Sequence, residues 1–189
     1  AIKMGIVERE KYPFGENKIR IVLPDAIKIG LDENEIQKIE ALDLMPGTPI
    51  AHTRNVFLFS FYLAGIRISD VLKMRWTDIK DGRLYYRMGK NNKITSLKIP
   101  DAVIRILEIY KAERSKSGDF IFPELKKAAL KNSEDVYTKT KTAIKKFNKY
   151  LGEIAKLSKI DKKITTHIAR HSFGNIAGEK ISPQMLQKL

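Results

Sequence analysis

Between Ala51 and Gly65 the chain reads AHTRNVFLFSFYLAG, and this stretch narrows the possible folds more than any other. Val56, Phe57, Leu58, Phe59, Phe61, Tyr62 and Leu63 leave almost no polar face. A helix that is apolar all round has to be buried on every side, so the remaining elements must be arranged around it. Gly65 ends it, as a glycine just past a helix commonly does. The chain continues IRISDVLKMRW, where Ser69 is predicted to cap an amphipathic run whose apolar side is Val71, Leu72 and Trp76. Arg67 therefore stands at a tight helix–turn–helix junction with its backbone fixed on both sides and Asp70 within reach. An arginine held in this way suits a planar, bidentate grip on an oxyanion such as phosphate. An ordinary surface arginine paired with Asp70 is the competing reading of the same residues.

Charge sharpens the choice. The 189 residues carry 36 Lys and Arg against 22 acids, a net charge of +14, which favours a polyanionic partner, nucleic acid first. There is no cysteine, so disulfides and thiolate metal sites are excluded, and His52, His167 and His171 are the only imidazoles. No apolar run approaches the length needed to span a membrane and no signal-peptide core opens the chain, which implies a cytoplasmic protein without a membrane partner. No Gly-rich phosphate loop followed by Lys-Ser/Thr, Ser-elbow motif or paired-His metal motif is present.

Residues 1–27 read as a connector, with Pro13, Pro24 and one short predicted strand at Lys18–Leu23. The opening, AIKMGIVEREKYPFG, has no initiator methionine and suggests a piece of a longer protein. From Asp32 a helix is expected, because Asp32 and Glu35 have capping-box spacing and Ile36, Ile39 and Leu42 share a face. After the helical junction, RLYYRM (Arg83–Met88) and ITSLKI (Ile94–Ile99) predict a hairpin with Lys90 and Lys93 at its tip. A helix should start at Pro100-Asp101, and DFIFP (Asp119–Pro123) reads as a short third strand or extended piece. Lys126–Lys163 holds 12 lysines and four acids, +8 of the net charge. Within it Val136, Ile144, Phe147, Leu151 and Ile154 predict one long helix from about Asp135 to Leu157. A surplus of one sign this large fits a phosphate backbone lying alongside, which makes Lys139, Lys141 and Lys145 candidate DNA contacts. In ITTHIARHSFGNIAGEK (Ile164–Lys180), Thr165 or Thr166 is expected to cap a helix, and His167 and Arg170 fall on one side of its start. The free N–H groups there add attraction for an anion.

Three of these stretches, taken together, resemble the catalytic domain of the tyrosine recombinase (phage integrase) family. They are the Gly-Ile-Arg67-Ile-Ser-Asp70-Val-Leu box, the Gly89-Lys90 hairpin after Trp76-Thr-Asp-Ile79, and His167-Ile-Ala-Arg170-His171-Ser-Phe. The similarity spans residues 28–189 and is nearest in character to integrases of bacterial mobile elements. It implies a mainly α fold with a small antiparallel sheet, and a nucleoid-associated place in a bacterial cytoplasm when DNA is bound. It also implies site-specific recombination of double-stranded DNA through a 3′-phosphotyrosyl intermediate, without metal or other cofactor, by a tetramer on two duplexes. Carried over, Arg67 and Arg170 clamp the scissile phosphate and Lys90 protonates the leaving 5′ oxygen. His167 hydrogen-bonds the phosphate or takes the tyrosine's proton. Asp70 and His171 support them, with Lys93 nearby on the DNA.

The sequence departs from the family pattern at one point. The family's nucleophilic tyrosine follows the His-x-x-Arg helix, whereas the 19 residues after Arg170 hold none and the last tyrosine is Tyr150. The expectation is a fragment that binds DNA weakly and does not cleave it. Two other classes fit parts of the chain. A non-catalytic helix-turn-helix module matches the break at Gly65–Ser69. A metal-dependent nuclease could draw on Asp70, Asp78, Asp81 and Asp101, although their spacing does not demand two metals.

Overall fold

The computed structural model describes residues 8, 11–13, 18–19, 30–89, 93–116 and 118–180. Most of the predicted Lys18–Leu23 strand, and Lys90, lie outside them. Helix α1 (Glu33–Glu40) starts with the expected reciprocal cap: Glu35 N–H donates to Asp32 Oδ1 (2.8 Å) and Asp32 N–H donates to Glu35 Oε2 (2.9 Å). Its Ile36 and Ile39 are buried. Helix α2 (Pro49–Tyr62) begins two residues before Ala51, because Thr48 accepts the Ala51 N–H and Pro49 occupies the first turn. The prediction of an all-round buried helix holds. Phe57 and Phe59 are each 1% exposed, and α2 packs against α4 (Asp101–Lys111), α5 (Ser133–Leu157) and α6 (Ile168–Lys180). Each such buried phenylalanine contributes about 1.5–3 kcal/mol relative to an exposed one.

The segment after α2 is shorter and more bent than its pattern implies. Helix α3 is a single turn, Ile68–Val71, and its N-cap is Arg67, without a side-chain cap. Ser69 lies inside that turn and does not cap it. The apolar run does not go on as helix because tertiary pairing takes its backbone groups. Trp76 N–H donates to the Asp119 carbonyl (3.0 Å), Ile121 N–H donates to the Met74 carbonyl (3.0 Å), and Arg75 N–H donates to the Asp78 carboxylate (2.8 Å). A 3-10 turn at Trp76–Asp78 then leads into the sheet.

That sheet is antiparallel in the order β1 (Ile79–Lys80), β2 (Arg83–Arg87), β3 (Ile94–Lys98). Leu84 pairs with Leu97, both buried, and Tyr86 pairs with Thr95. The third strand is therefore β1, not Asp119–Pro123. The latter makes a single bridge, Phe120 to Arg75, and buries Phe120, Ile121 and Phe122 in succession. It runs through the core, where alternation has no meaning. Helix α5 extends two residues beyond the expected start because Asn132 accepts the N–H groups of Glu134 and Asp135.

Near the start of α2 lies a polar cluster that the sequence did not announce. Asn55 Nδ2 donates to the Tyr110 hydroxyl (3.4 Å), which lies 2.7 Å from His52 Nδ1, while His52 Nε2 lies 2.6 Å from Glu124 Oε1. With the hydroxyl donating to Nδ1, Nε2–H donates to the carboxylate. The rings of Tyr110, Phe122 and Phe147 enclose the imidazole. No helix among the described residues is long and apolar enough to cross a membrane.

Candidate phosphate-binding site

The far end of α2 leads into the residues with the clearest chemistry. Ala64 and Gly65 both have left-handed backbone, φ 57° and 65°, so the chain turns sharply between α2 and α3. Only glycine fits at the second position. A Cβ on Gly65 would lie 2.7 Å from Arg170 Cα, so the turn and the first turn of α6 touch main chain to main chain. Arg170 Nη1 donates back to the Gly65 carbonyl (3.2 Å). Because of this contact Arg67, two residues on, and Arg170 share one small hollow of about 140 Å³. His167, Thr166, Ser69, Ile66, Ile68 and Ile144 complete its wall. No carboxylate among the described residues lines it.

The start of α6 is held by a residue that the sequence reading missed. The N–H of Thr166 donates to Asn148 Oδ1 on α5 (2.8 Å), so α5 rather than a threonine hydroxyl anchors this end. Asn148 sits on the inward side of an amphipathic helix, where its polar side chain was the available signal. From the other side Leu31 N–H donates to Ser172 Oγ (2.8 Å), and Ser172 Oγ–H donates to the Ile168 carbonyl (2.8 Å). His171 stands edge-on to His167, ring centroids 4.6 Å apart, and does not line the hollow among the described residues.

Asp70 takes a different partner from the one expected. Its carboxylate accepts the Gly89 N–H (3.4 Å), and among the described residues it forms no ion pair with Arg67. A Cβ on Gly89 would come within 2.7 Å of Asp70 Oδ1. Asp70 thus docks the end of β2's hairpin against the turn that bears Arg67. Tyr86, on the inward face of β2, joins this neighbourhood. Burial, then the Asp70 charge, push its hydroxyl pKa up, while Arg170 and Arg67 pull it down. That net direction is the opposite of what an activated nucleophile requires. The strand's alternation, which puts Leu84 and Tyr86 on one side, was the signal that could have found it.

Among the candidate DNA contacts, Lys139 is committed elsewhere: its ammonium lies 2.6 Å from Asp135 Oδ1. That contact lowers the Asp135 pKa and removes Lys139 from the free cations. Lys141 and Lys145, four apart on α5, and Lys93 at the start of β3 are exposed. The carboxylates considered for metal chemistry are dispersed. Asp78 accepts the Arg75 N–H and Asp101 opens α4. Among the described residues no group of three or more His, Cys, Asp or Glu side chains is placed to hold a metal ion.

Comparison with known proteins decides the family. Residues 30–189 match the model of the phage integrase family. The chain belongs to that family. The tyrosine recombinase XerA of Pyrococcus furiosus is 28% identical over 170 residues, which are 88% of this chain and 54% of that protein. XerD of Halalkalibacterium halodurans is 26% identical over 174 residues, 87% of this chain and 54% of that protein. This integrase-family chain therefore spans about half the length of the recombinases it matches. Among solved structures, XerA recombinase superposes with a TM-score of 0.60 at 18% identity, covering 90% of this chain and 57% of that one. The lambda integrase catalytic core gives 0.55 at 21% identity, covering 84% and 88%. The mainly α fold with its three-stranded antiparallel sheet is thus a tyrosine recombinase catalytic-domain fold.

Proposed function

We propose that residues 28–189 form the phosphate-binding part of a site-specific DNA recombinase, with residues 1–27 connecting it to whatever precedes. The observation that carries this reading is the shared hollow: two guanidiniums and an imidazole, drawn from segments about a hundred residues apart, with no carboxylate among the described residues in its wall to neutralise them. Fixed cations left open in this way suit an oxyanion whose charge grows during reaction. In the proposed reaction a tyrosine oxygen attacks the scissile phosphorus. A 3′-phosphotyrosyl bond forms, the bond to the 5′ oxygen breaks, and that oxygen leaves with a proton. Arg67 and Arg170 bind the non-bridging oxygens. Lys90 supplies the proton to the leaving oxygen. His167 hydrogen-bonds the phosphate or accepts the tyrosine's proton. Asp70 sets the place of the hairpin that carries Lys90, since it holds the adjoining Gly89.

No tyrosine follows Arg170 in these 189 residues, and the proposal for this chain is weak binding of duplex DNA without cleavage. Lambda integrase, whose catalytic core has this fold, has been solved as a dimer on a core site and as a tetramer on a Holliday junction. A tetramer on DNA is the corresponding proposal for the longer form of this protein.

The test is a suicide DNA substrate. The 189-residue chain should shift duplex DNA in a gel yet give no covalent adduct. A protein extended with its downstream sequence should give the adduct equally well with and without EDTA. In that longer protein Arg67→Ala should lower cleavage by about 10²–10³-fold, the usual loss for one group stabilising a developing oxyanion, while most binding remains. Cleavage abolished by EDTA would favour a nuclease. Binding lost in step with cleavage would favour a non-catalytic DNA-binding module.

A further inference from the structure

A second, larger cleft of about 580 Å³ opens beside the phosphate hollow, between α3 and the first half of α5. The two share Ser69 and Ile144, so they adjoin across those two side chains. Along α5 its wall is formed by Ser133, Val136, Tyr137, Thr140, Lys141 and Ile144, the i, i+3, i+4, i+7 pattern of one helical face. Ser69 on α3 and Lys73 just past its end face them.

Four features of this cleft point to one kind of occupant. Lys73 and Lys141 lie in its wall and no carboxylate among the described residues does, so it favours an anion. Tyr137 is 65% exposed, an unusual place for an aromatic ring without a task, and Lys141 Nζ lies 5.9 Å from its centroid. The ring therefore offers a stacking platform with a cation alongside, the pairing by which proteins hold unpaired nucleotides. Thr140 is 91% buried, because its exposure is 9%, yet among the described residues its Oγ1 has no hydrogen-bond partner. A buried hydroxyl left in that state is costly unless a ligand completes it. The volume falls within the range of pockets that enclose small molecules, whereas a double helix is too wide to enter.

We infer that this cleft receives a single unstacked nucleotide of the bound strand, its base against Tyr137 and within hydrogen-bond reach of Thr140, its phosphate between Lys73 and Lys141. The inference rests on the proposed recombinase reading and extends it. The strand held at Arg67 and Arg170 continues into an adjoining site that accepts a base only once that base has left the stack. Every base has a π-face, so the site selects an unpaired nucleotide without demanding a particular one.

The test uses the 189-residue chain and two short duplexes of the same sequence, one perfectly paired and one carrying a single bulged 2-aminopurine. Affinity is read by fluorescence anisotropy and base burial by the 2-aminopurine emission. The bulged duplex should bind at least about fivefold tighter, the low end for one base–aromatic stack, with the emission quenched. Tyr137→Ala should reduce that ratio to near one, Tyr137→Phe should keep it, and Thr140→Val should lower it part of the way. Equal affinity for the two duplexes would overturn the inference and leave the recombinase reading standing. No binding to either would overturn both. A bulge preference that survives Tyr137→Ala would place the base elsewhere. A ratio near one combined with weaker self-association of Tyr137→Ala in sedimentation velocity would assign the cleft to a second copy of the chain, and so overturn the inference.

Discussion

The two ends of α2 carry opposite kinds of polar cluster. At its beginning, His52 sits between Tyr110 and Glu124 with aromatic rings around it, and each of its ring nitrogens has a protein partner. Beyond its end, Arg67 and Arg170 share a hollow that no carboxylate among the described residues lines. Both clusters were assembled from distant parts of the sequence, so distance in sequence does not distinguish them. What distinguishes them is whether charge is answered within the protein. The first cluster binds Glu124, in a 3-10 turn at Pro123–Leu125, to α2 and α4, and its hydrogen bonds are spent on that. In the second, no carboxylate among the described residues faces the guanidiniums, and it is this unneutralised charge at a rigid junction on which the proposed phosphate site rests.

Substitutions can break or sharpen this contrast. The largest effect is expected for Gly65→Ala, which places a Cβ in left-handed backbone and against Arg170 Cα. The conformation alone costs roughly 1–2 kcal/mol for a residue other than glycine, and the collision adds to it. Thermal unfolding should show the lowered stability, and titration with inorganic phosphate followed by NMR should show no binding. If phosphate binding survived intact, the two guanidiniums would not depend on this contact. Next in size, Arg67→Ala or Arg170→Ala should weaken phosphate binding by about 1.5–3 kcal/mol, the worth of a hydrogen bond to a charged group, with little change in melting temperature. His52→Ala should do the reverse. It leaves Glu124 buried beside an empty space and should cost about 1–3 kcal/mol of stability, measured by urea unfolding, while phosphate titrates as before. A His52→Ala protein that lost phosphate binding would erase the distinction between the two ends. The smallest effect concerns the basic helix. Lys141→Ala should reduce the salt dependence of duplex binding by about one counterion, whereas Lys139→Ala, already paired with Asp135, should change it little.

The parts of this molecule legible in the sequence are those specified by local chemistry. The Asp32–Glu35 cap, the all-round apolar α2, the two hairpin strands and the span of α5 follow from spacing and composition. The convergence of Arg67, His167 and Arg170 was visible only through the ordered set of motifs that resemble a family, since nothing local to Arg67 points to Arg170. What the sequence concealed depends on tertiary contact. Phe120–Phe122 has the composition of a strand, but its backbone pairs once and its side chains fill the core. Ser69 has the character of a helix cap, yet Arg67 takes the capping position because two left-handed residues have already turned the chain. Lys139 and Lys141 are alike in sequence, and only the position of Asp135 separates a spent cation from an open one. Asn148 reaches across from α5 to hold the start of α6, a task that no pattern within its own helix announces.

The contact between Gly65 and Arg170 has one more consequence. Because the two segments meet through their main chains, the span separating the paired guanidiniums is inherited from backbone geometry. Exchanging neighbouring side chains offers no fine adjustment of that gap. It behaves like a ratchet tooth rather than a sliding scale, and drift in the surrounding residues can proceed freely so long as this single seat stays empty of a methyl group.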